Sequence, residues 1–157
     1  MKILGYSIIA GERRFVMKCD ASLLNNRKPM FLPSWSEDVR AAECIVVRIS
    51  RLGRCIQPRY ADRYYDALAN GIDFRAEDWL SRNYAQATAF ESSLYVGEWI
   101  EMALSDSTKE AVAQAIAQAS EIVTLRMGDL LYVDTTEAVP IHPDDVIEKE
   151  GLICKIK

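Results

Sequence analysis

The stretch Arg63-Tyr64-Tyr65-Asp66-Ala67-Leu68-Ala69-Asn70-Gly71-Ile72-Asp73-Phe74-Arg75-Ala76-Glu77-Asp78 decides the fold. Read by local pattern, it changes character more than once. Pro58 suits a first helical turn, and Ala61, Tyr64, Tyr65 and Leu68 recur at helical spacing, which predicts a helix over 58–69. Asn70-Gly71 predicts its stop, Ile72-Asp73-Phe74 a short strand, and Ala76–Tyr84 a further helix. Asp73 stands out because a carboxylate inside an apolar strand is costly unless it is paired or metal-bound. Glu43 and Asp78 are further acids in this part of the chain.

Around this stretch, strands dominate. Lys2–Ile9 and Arg14–Lys18 read as two strands about the turn Ala10-Gly11-Glu12. Asn25-Asn26-Arg27-Lys28-Pro29 is a turn-rich break, and Met30–Leu32 is a short extended piece. Ala42–Ile49, with its β-branched density, is the strongest local strand. Ser92–Ala103 reads as one strand or two, and Leu130–Val133 as another after Gly128-Asp129. Val146–Lys157 reads as strand, turn and strand about Glu150-Gly151. Ser107–Ile122 is the best helix, with Ser107 and Glu110 as a capping box. Val112, Ala115, Ile116, Ala119, Ile122 and Val123 form its apolar face. Strands outnumber helices and do not alternate with them regularly, so the fold class is α+β.

Composition narrows the function. The 157 residues are enough for one domain with a sizeable core. A net charge of −4 argues against a nucleic-acid footprint, and no apolar run is long enough to cross a membrane. The four cysteines show no C-x-x-C pair, which suits reduced thiols and a cytoplasmic location. The single histidine, His142, lies between Pro140 and Pro143 and reads as an exposed loop residue. It is the one possible base for a nucleophilic Cys44 or Cys55, and those two read first as small buried hydrophobes. Arg48, Arg51, Arg54, Arg59 and Arg63 read as a solvated or ion-paired face, with an anion site as the other reading. Tyr64-Tyr65 reads as core plus interface. Asp144, Asp145 and Glu148 read as a turn, with a cation site as the other reading.

Several motifs together resemble the fumarylacetoacetate hydrolase family, in its bacterial members, over most of the chain. They are Lys28-Pro29-Met30-Phe31-Leu32-Pro33, Val46-Val47-Arg48-Ile49-Ser50-Arg51-Leu52-Gly53, and Arg63-Tyr64-Tyr65-Asp66 with Gly71-Ile72-Asp73-Phe74, Ala76 and Asp78. Phe90-Glu91-Ser92-Ser93 and Gly128-Asp129-Leu130-Leu131-Tyr132 fit the same template. The resemblance implies a mixed, rolled β-sheet with a few flanking helices, and a homodimer. It also implies Mg²⁺ or Mn²⁺ held by a Glu-x-Glu pair and an Asp, with the ion polarising a keto acid for C–C cleavage or decarboxylation.

The chemical positions depart from the family pattern. The two glutamate positions fall on Ala42 and Cys44, with Glu43 between them, and Asp73 is the only retained ligand position. The family arginine and glutamine fall on Glu77 and Leu80, and the active-site lysine falls on Thr88. The usual Thr-Gly-Thr-Pro loop reads Val133-Asp134-Thr135-Thr136. The lid, with its histidine, and a hairpin between Ile100 and Ser107 are missing, so residues 1–157 read as one shortened domain. One carboxylate supports at most weak Mg²⁺ or Mn²⁺ binding, so no confident metal, cofactor or catalytic residue is assigned. The expectation is a catalytically inactive homologue with a binding or structural role and an unidentified ligand. One rival is a residual metal-dependent hydrolase or decarboxylase of small keto acids such as acylpyruvates. In it Asp73, Cys44 or Glu43, and Glu77 rebuild a site that favours Zn²⁺. The other is a regulatory subunit of an active paralogue.

Overall fold

A computed structural model describes residues 1–25 and 27–157. Position 26, in the turn-rich break expected at 25–29, lies outside the described residues. The chain begins with strands β1 (Ile3–Ile9) and β2 (Glu12–Lys18). They are joined through Ala10 and Gly11, both at positive φ (52° and 77°). Two left-handed residues in a row match the twist of a tight hairpin, and glycine takes that conformation without strain. After the two-residue β3 (Leu23–Leu24) come the long strands β4 (Val39–Ile49) and β5 (Tyr65–Ala76). These pair antiparallel from Val39 opposite Ala76 to Ile49 opposite Tyr65, with an irregularity at Arg48/Ile49.

β5 corrects the local reading of its own sequence. The expected helix over 58–69 is a 3-10 helix over Pro58–Tyr64, and the chain is extended from Tyr65 onward. Asn70-Gly71 does not end an element; it lies mid-strand. Gly71 is there for space, since a Cβ would lie 2.7 Å from Val46 and 2.9 Å from the Cys44 sulfur. Pairing along the whole of β4 outweighs the local turn signal. The expected helix over 76–84 is a 3-10 turn at Glu77–Trp79 followed by the short helix α1 (Tyr84–Thr88).

The rest follows the expected order. β6 (Leu94–Val96) precedes helix α2 (Asp106–Ile122), then β7 (Leu130–Asp134), β8 (Val139–Pro140), and the hairpin β9 (Val146–Lys149) and β10 (Leu152–Lys155). The N-cap of α2 is Ser105, whose hydroxyl accepts from the Thr108 amide, so the Ser107/Glu110 box is not the one used. Val112, Ala115, Ile116 and Ala119 are buried as expected, whereas Ile122 is exposed.

The strands form one mixed sheet in the order β2-β1-β7-β4-β5-β6-β3, with β8 against β4, and β9-β10 as a second small sheet. One face of the large sheet lies under α2. There Leu4, Tyr6, Ile45, Val47, Ile49, Leu131 and Val133 meet Val112, Ile116 and Ala119. The neighbouring residues on the same strands point the other way. Ile3, Val16, Cys44, Val46, Ala69, Leu94, Leu130 and Tyr132 form a second core on that side.

The sheet is curled around this second core. β2 and β5 are four steps apart in the strand order, which in a flat sheet would be roughly 19 Å. Yet the Lys18 ammonium at the end of β2 lies 3.0 Å from the Asp73 carboxylate on β5. α1 bridges the same gap, with the Tyr84 hydroxyl donating to the Phe15 carbonyl of β2 at 2.9 Å. The architecture is an α+β roll. Among the described residues no helix is long and apolar enough to cross a membrane.

Candidate functional site

The inner face of the roll carries the polar groups. Strand alternation sends Ser7 of β1, Ala42 and Cys44 of β4, Asp73 of β5, and Tyr132 and Asp134 of β7 inward, and Lys18 reaches them from β2. The two retained-ladder contacts fix the geometry: Ala42 stands opposite Asp73, and Cys44 opposite Asp134. The three positions on which the resemblance places metal ligands therefore do share one face. They bring together a methyl group, a thiol and one carboxylate.

Asp73 is 3% exposed and fully engaged. Its Oδ1 faces Lys18 Nζ at 3.0 Å, and its Oδ2 accepts from the Ser7 hydroxyl at 2.5 Å. The Ser7 hydroxyl is itself 3.0 Å from the Tyr132 hydroxyl. Lys18, whose side chain is completely buried, also donates to the Ser93 carbonyl (3.0 Å), the Ser93 hydroxyl (3.2 Å) and the Phe74 carbonyl (3.4 Å). Its ammonium lies 5.5 Å from the centre of the Tyr132 ring. Ser93 ends the Phe90–Ser93 motif, so that motif serves here to hold a lysine.

Tyr132 fills the remaining space. It is fully buried, and its ring lies over Gly5, its partner in the parallel β1–β7 ladder. A Cβ on Gly5 would come within 2.0 Å of the ring. Burial pushes the Tyr132 phenol well above its ordinary pKa, and the Asp73 charge pushes it further the same way.

Asp134 is also completely buried. Its Oδ2 accepts from the Ile8 amide at 2.9 Å, whereas its Oδ1 has no hydrogen-bond partner. Burial first, and then the Asp73 charge, raises its pKa well above the carboxylate range. A buried carboxyl in that position holds its proton. Cys44 is raised well above its usual value too, by burial and then by Asp134. It is a neutral thiol and not a nucleophile, as expected of a buried structural cysteine.

The other candidate residues are not gathered here. Glu43 faces away from the roll, half-exposed, and pairs with Lys149 at 3.3 Å. The strand register is therefore not shifted by one. Glu77 is held by Arg75 at 2.6 Å. Thr88, at the family lysine position, donates to the Tyr84 carbonyl of its own short helix. His142 is exposed on its loop, and Asp145 accepts from the His142 amide within a turn, so Asp144 and Asp145 follow the turn reading, whereas Glu148 lies in strand β9 opposite Ile153, which corrects that reading for it. Of the cysteines, Cys44 and Cys154 are buried, but Cys19 and Cys55 are exposed, which corrects the buried reading of Cys55. Arg48 pairs with Asp66 at 3.1 Å and lies against Trp99, as an ion-paired face requires. A cavity of ≈ 620 Å³ lies beside Arg48, Tyr95, Glu98 and Trp99, and neither Asp73 nor Lys18 lines it.

A hard divalent ion does not fit this donor set. Among the described residues no three His, Cys, Asp or Glu side chains converge as a metal site. The one carboxylate at the expected place is already facing an ammonium that would repel a metal cation. Lys18, Tyr132, Ser7 and Asp134 are the residues that local sequence reading missed as site residues. The available signals were strand parity, which places Lys18 two residues from the buried Val16, and the acid that ends the apolar run Leu130–Val133.

Comparison with known proteins places the fold. No family model matches the sequence, and no curated protein matches it. Solved structures match over nearly the whole chain. One is a fumarylpyruvate hydrolase from Pseudomonas aeruginosa in complex with Mn²⁺ and pyruvate (TM-score 0.81, 16% identity, covering 99% of this chain and 89% of that one). Another is 5-carboxymethyl-2-hydroxymuconate delta-isomerase from Mycobacterium smegmatis (TM-score 0.82, 17% identity, 99% and 78%). A third is a protein from Yersinia pestis CO92 assigned to the fumarylacetoacetate hydrolase family (TM-score 0.83, 16% identity, 99% and 92%). The chain thus has the fold of the fumarylacetoacetate hydrolase family, the fold that its motifs resemble.

Proposed function

We propose that this chain is a fumarylacetoacetate hydrolase family homologue that has given up metal-dependent catalysis and serves a binding or structural role, as a single shortened domain that forms a homodimer. One observation carries the reading. Lys18 Nζ, 3.0 Å from Asp73, supplies a positive charge from within the chain where the family resemblance puts a divalent ion. Ala42 and Cys44 cannot replace two carboxylates, and the Tyr132 hydroxyl stands 3.0 Å from the Ser7 hydroxyl that holds the other Asp73 oxygen. The ammonium satisfies the buried carboxylate but offers no open coordination position to a substrate oxygen, which is what a metal contributes to such chemistry.

The test is direct. The purified chain is incubated with Mn²⁺, passed through gel filtration and assayed for bound metal, and in parallel for turnover of an acylpyruvate and of oxaloacetate. The expected result is no retained metal and no turnover above buffer. One Mn²⁺ per chain, lost in Asp73→Ala, would overturn the reading. Light scattering at micromolar concentration tests the homodimer, and a monomer there would remove that part.

A further inference from the structure

Ion pairing accounts for only one of the arginines that crowd positions 48–63. Arg48 is held by Asp66 at 3.1 Å, whereas Arg51, Arg54, Arg59 and Arg63 form no ion pair among the described residues. Arg51 lies 5.8 Å from the centre of the Tyr64 ring, and Arg59 and Arg63 each lie 4.7 Å from that of Tyr60. Residues 48–66 hold five arginines against two aspartates, a basic island on a chain of net charge −4.

Two projecting apolar side chains stand on paired loops at this island. β4 and β7 stay in register as far as Arg48 opposite Leu130. The chains meet again at the antiparallel bridge of Gly53 with Leu125, closed by amide-to-carbonyl bonds of 3.0 and 2.8 Å. Four residues of each chain, 49–52 and 126–129, lie between those two points, so the loops run side by side. The second loop is a β-turn. The Asp129 amide donates to the Arg126 carbonyl at 3.0 Å, and Gly128, at φ 92°, is the third residue that a type II turn requires. Met127 is the corner of that turn and is 78% exposed, and Leu52 on the first loop is 63% exposed. The two loops even share a pattern, Arg51-Leu52-Gly53 and Arg126-Met127-Gly128. Both are held firmly. The buried Asp129 accepts from the Arg126 and Lys2 amides, each at 2.8 Å, and the Ser50 amide donates to the Tyr64 carbonyl at 2.9 Å. A single exposed apolar side chain is ordinary, but two on adjoining fixed loops, ringed by arginine, form a contact surface.

We propose that these loops dock the chain on the surface of an anionic phospholipid bilayer. Leu52 and Met127 enter the head-group boundary, and Arg51, Arg54 and Arg126 take lipid phosphates. The match holds on both counts. A bilayer interface receives projecting apolar side chains without a groove to seat them, and guanidinium donors fit phosphate oxygens. The net charge does not oppose this, because charges beyond roughly 8 Å are largely screened at physiological salt. The lipid surface meets the island and not the chain as a whole. The contact is peripheral, in keeping with the absence, among the described residues, of a helix able to cross a membrane. It is also separate from the proposed loss of metal chemistry, and it stands whatever Asp73 holds.

Flotation of the purified chain with vesicles tests the docking. At low salt the chain should float with vesicles of equal parts phosphatidylglycerol and phosphatidylcholine, stay behind with phosphatidylcholine alone, and release as salt is raised. Failure to float with the mixed vesicles would overturn the proposal. The double variants Leu52→Ser/Met127→Ser and Arg51→Gln/Arg126→Gln should each weaken binding by about tenfold or more, with an unchanged urea midpoint because all four residues are exposed. Undiminished binding by either would remove its pair from the contact. Lys155→Gln/Lys157→Gln, at exposed lysines outside the loops, should bind as wild type does. An equal loss there would mean general charge attraction and count against the loops. If wild type does not float and Leu52→Ser/Met127→Ser turns a dimer into a monomer in light scattering, the loops join two copies of the chain and the lipid proposal fails.

Discussion

The two faces of the large sheet are equally dry but are closed in opposite ways. Under α2, Leu4, Val47, Leu131 and Ile116 close a core with no buried charge. Inside the roll, the same strands present Ser7, Asp73 and Asp134 to Lys18 and Tyr132. On the first face each side chain adds burial that depends little on direction, and losses are graded by the volume removed. On the second, each group is tolerable only because another is in place, so the loss of one strands its partner.

That contrast can be broken most sharply at Lys18. Lys18→Met leaves the Asp73 carboxylate buried without its cation and should cost about 3–5 kcal/mol in urea unfolding. Adding Asp73→Leu should recover much of that loss, because two apolar groups need no counter-charge. If the double variant is as unstable as the single one, the pair is not coupled as described. On the apolar face, Ile116→Ala should cost about 2–5 kcal/mol, with no second change able to restore it except refilling the space.

Acidity gives a third way to separate the faces. In the folded chain Asp134 keeps its proton at pH values where the unfolded chain releases it, since burial and Asp73 raise its pKa. Its contribution is fully present below the ordinary aspartate value and is lost as pH rises toward the raised one. Urea midpoints of wild type should therefore fall across that window more steeply than those of Asp134→Asn. Parallel curves would show that Asp134 is ionised in the fold. The smallest effect belongs outside both cores. Glu43→Ala removes a half-exposed pair with Lys149 and should change stability by about 1 kcal/mol or less. A larger loss would mean that Glu43 belongs to the site after all.

The same contrast explains what was legible in the sequence. The apolar face was readable because its signal is local: β-branched density in 42–49 predicts a strand and a helical stripe in 107–122 predicts a buried helix face. Motif resemblance supplied the overall roll and the importance of Asp73. The occupant of the site was not readable, because Lys18 meets Asp73 only when the sheet curls, and nothing near position 18 announces a partner 55 residues away. β5 was misread for a related reason. Tyr65 and Leu68 satisfy helical and extended patterns alike, and Asn70-Gly71 carries a turn signal that non-local pairing with Cys44 and Ile45 overrides.

The parallel pairing of β1 with β7 has a consequence for how the chain is made. Residues 3–6 find their neighbours at 130–133, so β1 waits for a strand synthesised long after it. On a ribosome the β1–β2 hairpin must stand with one side unpaired while more than a hundred further residues emerge, at roughly 5–20 residues per second. Its inner face, with Ile3, Val16 and the Lys18 amine, has nothing to close on during that interval. Closure of the roll is therefore a late event in the life of each molecule, and the nascent hairpin is the segment most in need of protection until it happens.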